Sequence, residues 1–322
     1  MKIHKQIERI LVPVPLNRDM MAPIRQAMYF HEKYRSEIVI LHVVHEYSFL
    51  EKWLSSRILK KHRDKAKVKL FFLLSKLFPD HPILDHIEFE IVTGNLISSI
   101  LRVAAKRKSD LIIIKKAFRA KDKAHRFKKE NADKLISDSL CPVMTIVDKS
   151  TLKGISSILL PVDITKKSDK KVRWAISLAK KFGASIHVVS VQHLEIKCVH
   201  SLSYNKGCKI KQEITQEGID VELVMLKAGE MPLEEVVLDY AKKLRPDLIL
   251  IMTHKETILF DNYLGSFARE IIHKAEVPVI SIIPQKVSLF TDMFKSGESK
   301  EYLSTENISS HSENRTKTKG WF

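Results

Sequence analysis

The sequence repeats itself at domain length, and this repeat constrains the fold more than any other feature. Three apolar segments return in the same order in the second half: residues 10–14 as 158–162, 110–114 as 247–251, and 141–143 as 277–279. The offset between matching segments falls from 148 to 136 residues, so the first copy holds about a dozen extra residues. A period of this length indicates two duplicated domains, because the repeating units of solenoid proteins are far shorter.

Within each copy, short β-branched segments alternate with longer amphipathic ones. In the second copy this pattern predicts strands at 157–163, 185–191, 221–226, 247–252 and 278–283, and helices at 168–182, 232–243 and 262–274. The strands are nearly continuous in Ile, Leu and Val, which is typical of parallel sheets covered on both faces. The expected fold class is therefore α/β: two tandem Rossmann-like domains, each an open five-stranded parallel sheet (order 3-2-1-4-5) with helices on both faces.

The two copies are expected to differ between their second and third strands. The first copy has a long helical stretch there, from about residue 49 to residue 78, with Leu70, Leu73, Leu74 and Leu77 at helical spacing. The second copy has a polar insertion in the same place. The leucine-rich face is expected to cover the first sheet, and contact with a partner chain is the alternative.

The expected domains are residues 1–150 and 151–285, followed by a flexible tail at 286–322. The tail is dominated by Ser, Thr, Glu, Asn and Lys, a composition that cannot bury a core. The formal net charge of +17 is unevenly spread: residues 1–150 carry 30 Lys and Arg against 17 Asp and Glu, whereas residues 151–285 carry 19 against 16. Any explanation of the basic character must therefore concern the first domain.

Composition also restricts the class of protein. The sequence has no run of about 18 apolar residues, so neither a membrane-spanning helix nor a membrane partner is expected. The N-terminus passes directly from charged residues into a predicted strand, without the apolar stretch of a signal peptide. The three cysteines form no evident disulfide framework. A reducing cytoplasm is therefore the expected location.

Specific residues of the second copy fall where parallel strands end. The first strand runs into Asp163, the fourth strand covers residues 248–254, Gly265 and Ser266 open the following helix, and residues 277–279 close the copy. Together these segments resemble the universal stress protein family. The resemblance covers residues 7–147 and 156–285, nearly everything except the tail.

The resemblance implies half of a phosphate-binding loop. Nucleotide-binding members of the family have Gly-x-x-Gly, nine further residues, and Gly-Ser. Here Gly265 and Ser266 are retained at a helix N-terminus, where free N–H groups and the helix dipole favour an anion. Met252 and Lys255 occupy the two earlier glycine positions. Met252 is a poor substitute where backbone must approach phosphate, whereas Lys255 adds a cation.

The resemblance also implies an adenine contact. Asp163 matches the aspartate that contacts the adenine ring in nucleotide-binding members, and Val191 is expected on the other side of the base. These matches predict that the second domain binds ATP or another adenine nucleotide. The alternative is a relic in which Gly265 and Ser266 only cap a helix.

The first copy departs further from the family pattern. Pro15 stands where the second copy has Asp163, so the adenine contact is lost, and Lys129 and Glu130 are aligned with Gly265 and Ser266. Residues 115–129 contain eight Lys or Arg and two Phe. This basic loop has two interpretations: a solvated surface loop, or a site for nucleic acid or another polyanion.

Neither catalysis nor a metal is expected. No Ser-His-Asp order or pair of carboxylates suggests an enzyme. Two cysteines and two histidines share one insertion without zinc-motif spacing: His193, Cys198, His200 and Cys208. The resemblance implies a stress-response sensor or scaffold whose domains pair through their last strands as an intramolecular pseudo-dimer. A homodimer of the whole chain is a further expectation.

Overall fold

The computed structural model describes residues 6–44, 56–77, 87–116, 128–147, 154–164, 168–192, 202–253 and 264–283. The chain divides into two compact units, residues 1–284 and 285–322. Both sequence repeats fall in the first unit. The predicted tail lies outside the described residues, and the domain boundaries at 150 and 285 remain predictions.

The first repeat folds as an alternation of strands and helices. Its elements are β1 (Arg9–Pro13), α1 (Met21–Tyr34), β2 (Glu37–Val44), α2 (Ser56–Leu77), β3 (Ile87–Thr93), α3 (Leu96–Lys106), β4 (Leu111–Lys115), α4 (Lys129–Asp138) and β5 (Val143–Ile146). The start of α3 shows how local chemistry fixes a boundary. The side chain of Asn95 accepts hydrogen bonds from the N–H groups of Ile97 and Ser98 and so caps the helix.

The second repeat follows the same order. Its elements are β6 (Ser157–Pro161), α5 (Asp169–Phe182), β7 (Ser185–Gln192), α6 (Leu202–Gln216), β8 (Val221–Lys227), α7 (Leu233–Leu244), β9 (Leu248–Met252), α8 (Ser266–Lys274) and β10 (Val279–Ile282). The predicted strands and helices agree with these elements to within a few residues at each end. Gly183 ends α5 in the left-handed conformation with φ 72°, a geometry that glycine adopts without a Cβ penalty.

Helix α6 corrects the sequence analysis, which treated the same stretch as a polar insertion. The second domain has a helix where the first has α2, so the copies differ there in helix length rather than in helix presence. Most of α6 is polar, and Ile214 is its one fully buried side chain among the described residues. Such a narrow apolar stripe is too weak a periodic signal to stand out from a polar segment.

The strand order confirms the predicted topology in both domains. The described strands form one ten-stranded sheet with the order β3-β2-β1-β4-β5-β10-β9-β6-β7-β8, which is 3-2-1-4-5 in each half. Within each half all pairs are parallel. Alternate side chains of each strand point to opposite faces of the sheet, so the sheet has a hydrophobic core on each face. Ile10 and Val12 pack on the face that α1 and α5 cover, and Leu11 packs on the opposite face with Ile100 of α3.

The two domains join through their last strands. β5 and β10 run antiparallel, with Thr145 opposite Val279 and Val143 opposite Ser281. All other neighbouring strands are parallel, so this pair marks the junction at which the second domain is turned around relative to the first. The pairing makes the two sheets continuous and leaves β3 and β8 as the outer strands.

An aromatic cluster closes the junction on one face of the sheet. The ring of Phe182, at the end of α5, lies 5.2 Å from Phe30 and 5.4 Å from Tyr29, both on α1. Phe30 is fully buried. The Tyr29 hydroxyl also accepts a hydrogen bond from the Ile155 N–H at 2.9 Å. Apolar burial and aromatic packing therefore hold the domains together on this side.

Polar contacts close the junction on the opposite face. The Lys116 Nζ, directly after β4, donates to the carbonyl oxygens of Ile272 at 2.5 Å and Ala275 at 2.7 Å, at the C-terminal end of α8. A cation at this end of a helix is favoured by the unpaired carbonyls and by the helix dipole. Burial of the ammonium group lowers the pKa of Lys116 to about 7.

A second polar contact joins α4 to α8. The carboxylate of Asp133 accepts from His273 Nε2 at 2.7 Å and forms an ion pair with Arg269, whose Nε lies 3.2 Å away. The side chains of Asp133 and His273 are only 20% and 9% exposed, so solvent screens this pair less than it would a surface ion pair. Both faces of the junction are thus specified by side chains from both domains.

Candidate functional site

The second domain has a crevice at the carboxyl ends of its two central strands, β6 and β9. The two strands are direct neighbours, and the strand order reverses around them, which is where open α/β sheets bind ligands. Asp163 follows β6 and is exposed, and Val191 is half-buried near the end of β7. The Val162 N–H donates to the Val189 carbonyl at 2.8 Å, which holds the segment leading to Asp163 against β7.

Gly265 and Ser266 lie at the start of α8, beside the end of β9. The Gly265 N–H donates to the carbonyl of Thr253 at 3.1 Å, and the Thr253 N–H donates to the carbonyl of Ile282 at 3.0 Å. These bonds fix the helix N-terminus to the crevice even though the connecting residues 254–263 lie outside the described part of the chain. Lys255 is among those residues, so its position remains a prediction.

The N-terminus of α8 offers backbone donors. Gly265 is the N-cap residue, and among the described residues no side chain caps this end. The first N–H groups of a helix have no partner within the helix, and they favour a negatively charged group. Helix α3 of the first domain shows the contrast, since Asn95 already satisfies two such donors there. The donor set at α8 fits a phosphate.

The backbone conformation of Gly265 does not require glycine. Its φ of −59° and ψ of 148° are open to any residue. A Cβ added there would meet the Thr253 carbonyl oxygen at 3.8 Å, an ordinary van der Waals distance. The fold therefore tolerates a side chain at position 265, and any need for glycine comes from what approaches the helix end.

Two lysines that the sequence analysis did not select lie at the same edge of the sheet. The Lys171 Nζ donates to the carbonyl of Pro161, the last residue of β6, at 2.5 Å. The Lys170 Nζ donates to the carbonyl of Ile283, just after β10. Their ammonium groups add positive potential at the carboxyl ends of these strands. The only sequence signal was a lysine run after the first strand, which is usually a solvated surface.

The corresponding crevice of the first domain is bridged by an ion pair. The Lys115 Nζ, at the end of β4, lies 2.6 Å from the Asp19 carboxylate, in the segment that follows β1. The Lys115 side chain is only 9% exposed. Pro15 is half-buried where the second domain has Asp163. The first crevice is therefore bridged by the chain's own side chains, and it has no counterpart of Asp163.

Helix α4 also begins differently from α8. Its N-cap is Lys128 and its first residue is Lys129, so these two lysines take the places of Gly265 and Ser266. The sequence alignment had placed the match one residue later, at Lys129 and Glu130. The basic residues continue into the loop before the helix, but residues 117–127 lie outside the described part of the chain.

The structure changes the interpretation of the basic loop, residues 115–129. Lys115 and Lys116 are both buried, the first in the ion pair with Asp19 and the second at the end of α8. These two lysines serve the fold. A polyanion site in this loop would have to use the remaining six basic residues, of which Lys128 and Lys129 are described and exposed.

Other predicted features are only partly within the structure. The insertion has two cysteines and two histidines that were considered as metal ligands. Cys208 is half-buried on α6, whereas His193, Cys198 and His200 fall outside the described residues. Where the chain is described, no group of three or more His, Cys, Asp or Glu could hold a metal ion. No helix in the described ranges is both long and apolar enough to cross a membrane.

Comparison of the sequence with protein-family models gives two matches to one family. Residues 6–146 and residues 154–282 each match the universal stress protein family. A universal stress protein of Methanocaldococcus jannaschii is 27% identical over 139 residues, which cover 39% of this chain and 80% of that protein. The two family matches coincide with the two halves of the ten-stranded sheet.

One solved structure shows the same fold over most of the chain, and a second is similar in sequence to part of it. A universal stress protein from Archaeoglobus fulgidus DSM 4304 superposes with a TM-score of 0.66 at 17% identity, covering 87% of this chain and 98% of that one. A universal stress protein from Archaeoglobus fulgidus solved in complex with dAMP is 26% identical, with a TM-score of 0.32, and covers 39% of this chain and 97% of its own.

Proposed function

The chain belongs to the universal stress protein family, and from this premise we propose that its second domain binds an adenine nucleotide such as ATP. In this proposal the chain acts in the cytoplasm as a stress-response sensor or scaffold and does not turn the nucleotide over. The observation that carries the proposal is the N-terminus of α8, which lies against the end of β9 without a side-chain cap among the described residues. That arrangement supports binding of an anion at a crevice.

Each proposed contact has a distinct chemical role. Asp163 and Val191 flank the adenine base, one as a hydrogen-bond acceptor and the other as an apolar surface. The N–H groups of the first turn of α8, from Ser266 onward, bind the phosphates, and Gly265 leaves room for their approach because it has no side chain. Lys255 supplies a positive charge nearby. Lys170 and Lys171 support this proposal because they raise the potential at the same strand ends, whereas Met252 in place of a glycine weakens the phosphate loop.

The first domain has a different role in this proposal. Its crevice is bridged by the Asp19–Lys115 ion pair, so it binds no nucleotide and instead supports the second domain. The antiparallel pairing of β5 with β10 supports an intramolecular pseudo-dimer, in which one chain supplies both halves of a pair. Analytical ultracentrifugation of the full chain distinguishes a single tandem chain from a homodimer of it.

Isothermal titration of ATP into the full chain tests the nucleotide site. We expect saturable binding that weakens at least about tenfold in Asp163→Ala, because a hydrogen bond to a charged group contributes about 1.5–3 kcal/mol. Gly265→Val should weaken binding at least as much, because its side chain blocks the approach of a phosphate to the helix end. Gly265→Val is informative because the backbone there accepts any residue, so lost binding reports on the ligand rather than on misfolding.

The duplication provides matched controls. Pro15→Ala and Lys128→Val change the corresponding positions of the first domain, and both variants should bind ATP as the unmodified chain does. A flat titration of the unmodified chain at millimolar ATP, ADP and AMP would overturn the proposal, as would equal losses in the control variants. Polyanion binding by the basic loop would then be the alternative, tested by salt-dependent retention of RNA. Phosphate release in the same samples tests the absence of turnover.

A further inference from the structure

The outward face of α2 exposes large apolar side chains. Leu70 and Leu74 are buried against the sheet, whereas Val68 and Phe72, one turn apart on the opposite side of the helix, are 71% and 63% exposed. Phe71 beside them is 48% exposed. Single exposed apolar residues are common on proteins, but a contiguous group of this size marks a surface that meets another apolar phase.

The same face is strongly basic. Helix α2 carries eight Lys or Arg and one acidic residue, Asp64. Exposed lysines surround the apolar pair, so the face combines an apolar centre with a cationic border. An open depression of about 690 Å³ lies along this face. Its lining combines the two apolar side chains with the charged residues around them: Lys60, Lys61, Asp64, Lys65, Val68, Lys69 and Phe72.

Helix α6 provides an internal comparison, because it occupies the corresponding place in the second domain. It carries three lysines and one glutamate. No large apolar side chain is exposed on its described residues. The combination found on α2 is therefore not a general property of this position in the fold, and it contributes to the excess positive charge of the first domain.

We propose that this face of α2, which we call the α2 face, docks on membrane surfaces that contain anionic phospholipids. The lysines are attracted to the headgroup phosphates, and their long side chains let Val68 and Phe72 enter the boundary between headgroups and acyl chains. A nucleic acid would use the lysines and could stack on Phe72, but it would leave the aliphatic Val68 in water, so the lipid surface accounts for more of the face.

This docking is peripheral and independent of the proposed nucleotide site. It needs no membrane-spanning helix, and it runs against the sequence-based expectation that the chain has no membrane partner. Helix α2 packs on β3 and β2 through its other side, at the end of the strand order far from the β5–β10 junction, so the α2 face points away from the sheet. A membrane can therefore approach it without separating the two domains.

Vesicle flotation of the full chain tests the proposal. We expect binding to phosphatidylcholine vesicles that contain phosphatidylglycerol and none to vesicles of phosphatidylcholine alone. The Val68→Ser/Phe72→Ser variant should bind at least about tenfold more weakly, because the apolar insertion is lost. The Lys61→Gln/Lys65→Gln/Lys69→Gln variant should lose about fivefold per lysine at low salt.

A charge-matched variant of α6 separates this site from the net charge of the protein. Lys206→Gln/Lys209→Gln/Lys211→Gln removes the same charge and should leave vesicle binding unchanged. Equal losses in both lysine variants, no effect of Val68→Ser/Phe72→Ser, or no vesicle binding at all would overturn the proposal. It would also be overturned if the α2 variants abolished RNA retention instead, or if they converted a dimer into a monomer on size exclusion.

Discussion

Lys116 predicts that the chain becomes more stable as the pH rises from about 6 to about 9. Its side chain crosses from the first domain to the end of α8, and burial lowers its pKa to about 7. In the unfolded chain the pKa of a lysine is about 10.4. Between these two values the unfolded state binds more protons than the folded state, so the free energy of unfolding rises with pH. Below about pH 7 both states carry the proton, and the cost of burying the charge is present in full.

The magnitude follows from the pKa difference. The free energy of unfolding changes by about 1.4 kcal/mol for each pH unit over which the unfolded state binds one more proton than the folded state. For a folded-state pKa of about 7, the step from about pH 6 to about pH 9 includes about two such pH units. The pKa of about 7 already includes the negative charge of Glu276, which raises it, whereas the carbonyls of Ile272 and Ala275 accept hydrogen bonds from the ammonium group and so oppose the shift. We therefore expect a gain of about 1–3 kcal/mol.

Urea denaturation at the two pH values measures this gain. Other titrating groups also respond to pH, so the informative quantity is the difference between the unmodified chain and Lys116→Met, which keeps the side-chain length without the charge. That difference should move by about 1–3 kcal/mol in favour of the unmodified chain at the higher pH. Lys242→Met, at a lysine that is 63% exposed, should show no such change. A difference between the unmodified chain and Lys116→Met that stays constant with pH would refute the reasoning.

Three further substitutions test the packing, each by its effect on the urea denaturation midpoint. Phe30→Ala should destabilise the chain by about 3–5 kcal/mol, because the fully buried ring packs on Phe182 across the domain junction; a loss under about 1 kcal/mol would contradict that packing. Asp133→Asn should cost about 1–3 kcal/mol by removing the charge that faces His273, and an unchanged midpoint would show that this pair contributes nothing. Ile214→Ala should cost about 2–5 kcal/mol if α6 packs on the sheet as described, whereas a neutral effect would argue for a solvated insertion.

The sheet was predictable because its signal is local and repeated. Each central strand is a short run of Ile, Leu and Val, and the duplication showed the same order twice, so two independent copies supported one topology. The end of α5 was also predictable, since Gly183 is the residue type that helix ends favour. Helix α6 was missed for the opposite reason, because its buried stripe is narrow and most of its residues are polar.

The roles of the basic residues were not predictable, because they depend on contacts distant in sequence. Lys116 donates to a carbonyl 156 residues later in the chain, and Lys115 pairs with Asp19, 96 residues earlier. In the sequence these lysines belong to one uniform charged run. Nothing in that run distinguishes a buried helix cap from a solvated side chain, since only the folded sheet brings α8 and the segment after β1 close to β4.

The two copies diverge at several places, and the change at the end of the fourth strand bears on both crevices. The first copy has Lys115 and Lys116 there, where the second has Met252 and Thr253. Lys115 bridges the first crevice, and Lys116 holds the C-terminal end of α8, the helix whose N-terminus faces the second crevice. These two neighbouring lysines thus contribute both to bridging the first crevice and to holding the helix at the second. The first domain therefore helps to position its neighbour's helix.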